Sequence, residues 1–181
     1  MAKLVSKVSG DALFSAALEE NKLDEVWEEV RQISSILEEN KAFVDMMNHP
    51  EMTREKELAL MDEIFQGKVS DIMMGFLHIL VKKGRFGQID SVLQYFDKKA
   101  KEYKKIGVVF VTTPTPLTDA QKEKIEKRLS ETSNYESLEM NYAEDASLLG
   151  GIRIRIDDRV VDNTIQTKLE EMTRKLSKVR V

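Results

Sequence analysis

Apolar residues recur every three or four positions through the first hundred residues, then every second position in several short stretches. Leu4, Val5, Val8, Ala12, Ala16 and Ala17 carry the helical period as far as Asn21. Asp24 is placed to cap a second helix carrying Val26, Trp27, Val30, Ile33, Ile36 and Leu37. A short third helix from Phe43 to Met47 stops at Asn48-His49-Pro50, and Thr53 precedes a fourth that runs to Phe65 and is halted by Gly67. Ser70 opens a fifth helix that is apolar nearly all round from Ile72 to Val81, which predicts a central position in a bundle. After Gly84 a sixth helix carries Ile89, Val92, Leu93 and Phe96 and turns basic from Lys98 to Lys105.

The period changes at Gly107. Val108-Val109-Phe110-Val111-Thr112-Thr113 is β-branched and strand-like until Pro114 and Pro116 end it. Thr118-Asp119 opens a helix with Ile125 and Leu129, and Leu138, Met140 and Tyr142 alternate with Glu139 and Asn141 as a second strand. Ile152-Arg153-Ile154-Arg155-Ile156 predicts a third strand, with isoleucines on one face and arginines on the other. Val160-Val161 predicts a fourth, and Asp162-Asn163-Thr164 offers caps to a last helix with Ile165, Leu169, Met172 and Leu176 on one stripe. The expected fold is α+β: an all-α six-helix bundle over residues 1–105, then a small α/β domain over residues 106–181.

Composition narrows the function. With 41% hydrophobic and 33% charged residues the 181-residue chain is globular. Of its 28 basic and 32 acidic residues, 15 and 19 fall before residue 105 and 13 of each from residue 105 onward, so the net charge of −4 resides in the helical part. That balance argues against a nucleic-acid-binding surface. There is no cysteine, which removes disulfides, thiolate nucleophiles and zinc–thiolate sites. The first residues, MAKLVSKVSGD, hold no apolar stretch of signal-peptide length. The longest uncharged apolar run, Ile72 to Val81, is about half a membrane span. Membrane association is therefore expected only through a complex.

Candidate chemistries are few. Gly150-Gly151 precedes a strand, whereas a phosphate cradle precedes a helix. Lys82-Lys83-Gly84-Arg85-Phe86-Gly87 has the glycine spacing of a single-strand RNA clamp, but helices flank it on both sides; the competing reading is a helix stop with cations on the dipole. An RNA-binding protein using that turn is the alternative function. His49 and His78 show no pairing pattern, and Asp157-Asp158 suits a turn better than a metal. Neither a cofactor nor a catalytic group is indicated.

The segment LLGGIRIRIDDRVVDNTIQTKL, residues 148 to 169, resembles the C-terminal signature of the delta subunits of F-type ATP synthases, the bacterial counterparts of the mitochondrial oligomycin-sensitivity-conferring protein. Phe76-Leu77-His78-Ile79-Leu80-Val81-Lys82-Lys83-Gly84-Arg85-Phe86 and Ala12-Leu13-Phe14 resemble two further family segments, and the likeness runs collinearly along essentially the whole chain. Departures are Asp157 where the family's turn has glycine, Thr164 in place of serine, and Ser9-Gly10 where the first-helix segment has tyrosine.

The resemblance implies a non-catalytic stator subunit, peripheral on the cytoplasmic face of the bacterial plasma membrane. Its N-terminal domain would bind the N-terminal helix of an alpha subunit, and its C-terminal domain the b subunits of the peripheral stalk. Ser9, Ala12 and Ala16 on the first helix, with Ile72, Gly75, Phe76, Ile79 and Lys83 on the fifth, form the expected alpha-subunit groove, Phe76 and Ile79 being its apolar anchors. The same faces also suit mutual packing in the core. Leu169, Met172, Leu176 and Val179 form the expected stalk-binding stripe, for which burial against the protein's own sheet is the competing role. Gly84, Arg85, Gly150, Gly151 and Asp162 are expected to be structural.

Overall fold

The computed structural model describes residues 2–49, 51–157 and 159–178, with side chains from residue 5 onward except at 171 and 175–178. The chain is a mixed α+β protein, with eight α-helices and one four-stranded sheet among the described residues. It divides into two compact units, Met1–Ala100 and Lys101–Val181.

The first unit holds α1 (Ala2–Glu19), α2 (Leu23–Glu39), α3 (Lys41–Met47), α4 (Arg54–Phe65), α5 (Asp71–Lys82), a 3-10 turn (Phe86–Gln88) and most of α6 (Ile89–Tyr103). The buried stripe of α2, Leu23, Val26, Trp27, Val30, Ile33 and Leu37, follows the helical period. Asp24 does not cap it. Lys22 occupies that position, because α1 ends in a left-handed Asn21 whose neighbours close a tight stop: Asn21 N–H donates to the Leu18 carbonyl and Lys22 N–H to that of Ala17. The short link starts α2 earlier and leaves Asp24 in the first turn, where its charge meets the positive end of the dipole.

Ser70 caps α5 as expected, its hydroxyl accepting from Met73 N–H at 3.3 Å. The Glu29 carboxylate on α2 in turn accepts from that hydroxyl at 2.8 Å, tying the start of α5 to α2. On the other side of α1, Phe14 meets Phe96 of α6 edge to face with ring centres 6.0 Å apart, and Asp11 accepts from the Tyr95 hydroxyl at 3.0 Å and from Lys99. The Lys99 bond, opposed in part by desolvation, holds the Asp11 carboxyl below its ordinary pKa.

In the second unit β1 (Ile106–Thr113) is central. It pairs in parallel with β2 (Ser137–Glu144), the crossover being α7 (Asp119–Thr132), and antiparallel with β3 (Arg153–Ile156), which pairs with β4 (Arg159–Asp162). The order is β2-β1-β3-β4, and α8 (Ile165–Lys178) follows. The register sets Val111 beside Ile154 and Ile154 beside Val161 on one face, and Phe110 beside Arg155 on the other. Arg155 lies over the Phe110 ring at 4.5 Å, so the outer face of the Ile-Arg strand is a stacked pair as well as a solvated one. Gln121 Oε1 accepts from Thr118 N–H at 2.9 Å and fixes the start of α7. In β1 only Gly107, Val109, Val111 and Thr113 are buried, and α7 buries no side chain.

Candidate functional site

The glycine pair before β3 lies where two stretches of backbone approach closely. Gly151 adopts φ +89°, and a Cβ there would stand 2.4 Å from the backbone oxygen of Asn163. The close approach lets Ile165 N–H reach the Gly150 carbonyl at 3.0 Å and Asn163 N–H the Ile152 carbonyl at 3.0 Å, so the entry to α8 is fastened to the start of β3. Asp162 completes the corner by accepting from Thr164 N–H at 3.0 Å and from Arg153 Nε at 2.9 Å. The bonds from Thr164, ahead of the one from Arg153, pull its pKa from about 3.8 to about 2. Asp157 takes up a left-handed conformation with φ 49° and accepts from the Tyr135 hydroxyl, so the turn forms without a glycine at this position. Asp158 lies outside the described residues.

The Gly84–Gly87 turn is a helix stop. Gly84 sits at φ +61°; its N–H donates to the Val81 carbonyl and that of Arg85 to the Leu80 carbonyl, both at 2.8 Å. The Arg54 guanidinium donates to the carbonyls of Val81 and Lys82, and any Cβ at Gly84 would stand 2.7 Å from it. Nothing in the sequence pointed to Arg54, whose target is backbone. Phe86, inside the turn, is buried. Backbone bonds and Arg54 thus satisfy the carbonyls at the end of α5, as a helix stop requires.

The expected groove residues divide into those presented and those buried. Helices α1 and α5 are packed neighbours. Gly10, Asp11 and Phe14 meet α6, so helical rotation puts Ser9, Ala12 and Ala16 on the opposite flank of α1. Ala12 is exposed there, with Ser9 and Ala16 half-buried. On α5, Gly75 is exposed with open space where a Cβ would lie, Ile72 is half-buried, and Ile79 is 51% exposed. A helix apolar nearly all round was expected to sit centrally; α5 packs against α1, α2 and α4 and buries Met73, Leu77, Leu80 and Val81, yet it also turns its Gly75–Ile79 stripe outward.

Phe76, expected as an anchor, is 7% exposed and belongs to the core, because its side chain falls at the buried edge of that stripe. Lys83 is the exposed residue just past the end of α5. Val8, one turn before Ala12, is 56% exposed. It was legible as part of the first helix's period and was missed because only small residues were sought on that flank.

On α8, Leu169 and Met172 are 52% and 60% exposed, with exposed Ile165 one turn before Leu169. Burial against the sheet is therefore not their role here. The Leu176 side chain and all of Val179 lie outside the described residues.

His78 Nε2 pairs with Asp62 at 2.7 Å, and His49 Nδ1 accepts from Glu51 N–H at 3.3 Å, each ring being engaged locally. Among the described residues no cluster of three His, Cys, Asp or Glu side chains is arranged to hold a metal, and no helix is long and apolar enough to cross a membrane.

Comparison with known proteins agrees along the whole chain. The family described as ATP synthase delta (OSCP) subunit matches residues 5–176. A protein named ATP synthase subunit delta from Lachnoclostridium phytofermentans is 44% identical over 181 residues, all of both chains. One of the same name from Clostridium beijerinckii is 32% identical over 161 residues, 89% of each chain. In fold, the chain is similar to one in a cryo-EM structure of the Toxoplasma gondii mitochondrial ATP synthase hexamer, with a TM-score of 0.72 over 94% of this chain and 96% of that one at 18% identity. The chain therefore belongs to the ATP synthase delta (OSCP) subunit family.

Proposed function

We propose that the protein is the non-catalytic stator subunit of a rotary F-type ATP synthase, holding the catalytic head against the torque of the rotor. Residues 1–105 act as a six-helix bundle that receives the N-terminal helix of an alpha subunit; residues 106–181 form the domain that grips the b subunits of the peripheral stalk. The protein works on the cytoplasmic face of the bacterial plasma membrane and touches the membrane only through the complex.

The observation that carries the head-binding half is the outward Gly75–Ile79 stripe of α5, on a helix packed beside α1, whose Val8–Ala12 flank is also exposed. Exposed apolar surface at helical spacing, with a glycine and an alanine lowering the walls, suits an amphipathic helix laid in a groove. Ile79 and Val8 supply the anchors, with Ile72, Ser9 and Ala16 at the margins and Lys83 at one end; Phe76 supports the floor from below. A torque-bearing joint of nanomolar affinity needs about 12 kcal/mol, which a well-packed interface of about 800 Å² per partner supplies.

Calorimetry with the alpha-subunit N-terminal peptide from the same bacterium tests this. One-to-one binding is expected, lost in Gly75→Trp, which fills the open space, and weakened about tenfold or more in Ile79→Glu, which puts a charge against the apolar face. Trp27, buried and bonded to Asp97 at 2.8 Å, reports by its fluorescence that both variants remain folded. Absence of binding at micromolar peptide rejects the groove.

A further inference from the structure

Between α7 and strands β3 and β4 an open cleft of about 1080 Å³ remains. Its floor is apolar: Ile125 and Leu129 of α7 oppose Ile154, Ile156 and Val161 of the strands. None of these five is buried, and Val161 is 64% exposed. The rim is cationic, with Lys124 and Arg128 one turn apart on α7 and Arg159 on β4. Among the described residues none of these three cations has an ion-pair partner. The carboxylate on the lining, Asp157, already accepts from Tyr135, and Ser133 Oγ is buried at the cleft end of α7 with no partner.

We infer that this cleft is the docking groove for an amphipathic helix whose apolar edge is flanked by carboxylates. The inference rests on the stator reading and deepens it, assigning the grip on the b subunits to the α7/β3–β4 face together with α8. Three arguments carry it. The α7 wall from Lys124 to Thr132 is roughly 12 Å long, a little over two helical turns. An apolar floor left half-exposed gains free energy in proportion to the area that a partner removes from water. Unneutralised cations one turn apart on α7 match carboxylates repeated one turn apart on a helix laid beside it, and they select against a partner with a basic flank.

The chain has no cysteine, so Thr132→Cys, on the cleft lining, takes a single environment-sensitive dye. The soluble segment of the b subunit from the same bacterium is then titrated into the labelled full-length chain. A saturable blue shift is expected, with affinity falling roughly tenfold or more in Lys124→Glu/Arg128→Glu, two exposed positions whose reversal leaves the circular dichroism unchanged. If the b segment binds, the dye stays silent and the reversals have no effect, the cleft assignment is overturned while the stator reading stands. If the b segment does not bind, the stalk half of the stator reading fails. The cleft is then judged with two designed helical peptides sharing an apolar edge, one flanked by glutamates and one by lysines. Preference for the glutamate peptide with a dye shift upholds the groove. Equal or absent binding overturns it, as does a shift with a long-chain carboxylate and with neither peptide.

Discussion

The two units of this chain solve the burial problem differently. In the first, most helices donate a stripe to a common core in which Met61, Met73, Leu77, Val92, Leu93 and Phe96 lose essentially all contact with water. In the second, the described apolar side chains buried to that degree are Val109, Val111 and Leu148, while Val160, Val161, Leu169 and Met172 stay more than half exposed. The first unit is an enclosed core that leaves a few large apolar side chains, Val8, Ile36, Met46 and Ile79, about half exposed. The second is a sheet held by its hydrogen-bond ladder and corner contacts, with its apolar surface only partly covered. Backbone pairing can define a fold that side-chain burial only lightly supports, and such a fold leaves surface for a partner to cover.

The contrast can be broken at its strongest point first. Phe96→Ala deletes a fully buried ring in edge contact with Phe14 and should cost about 4 kcal/mol, read from denaturant unfolding followed by Trp27 fluorescence. Leu129→Ala on half-buried α7 should cost much less, and equal costs would show that the second unit has a hidden core. Gly151→Val is the corresponding test of the corner. The φ of +89° and the 2.4 Å approach to Asn163 should together cost about 3 kcal/mol, lost from the sheet's circular-dichroism transition and not from Trp27 emission. A shift of the Trp27 transition by the same amount would mean that the two units unfold as one.

A smaller effect is expected from acid. The folded-state pKa of Asp162 lies below its unfolded value, so its contribution is fully present above the unfolded value, near 3.8. It is lost as the pH falls towards about 2. Asp162→Asn should flatten that part of the acid limb for the second unit, and an unchanged limb would show that the corner does not depend on the charge. Asp11, also lowered but by Lys99, plays the matching part in the first unit. The smallest effect should come from Leu169→Ser/Met172→Ser, which touches exposed stripe positions and should leave stability within about 0.5 kcal/mol while weakening b-subunit binding. A large loss of stability would place α8 in the protein's own core.

Much of this was legible from spacing. The period of α2 gave its buried face, and the glycine at 84 and serine at 70 marked ends where the backbone needs a left-handed residue or an acceptor. The Ile-Arg alternation set the facing of β3, since a strand offers only two sides. Less was legible at the surface positions. Phe76 and Ile79 are both large, apolar and three residues apart on one helix, yet one is buried and the other is half exposed. Which of them faces water depends on where α1 and α2 lie against α5, and helical periodicity carries no information about that rotation. Arg54 escaped notice for a related reason: its partners are carbonyls made available by a helix end some 27 residues away in sequence.

What the sequence by itself determined is therefore local: the helical and strand periods, the caps and stops, and a collinear family signature, because each depends on residues within a turn or two of one another. The tertiary structure alone decided the rest. It settled which apolar stripes found a neighbour and which were left facing water, that α7 stands off the sheet far enough to leave a cleft, and that three cations rim it, none of them in an ion pair among the described residues. Those outcomes depend on how elements distant in the chain are placed against one another. Burial and charge pairing are properties of that placement and of no single segment.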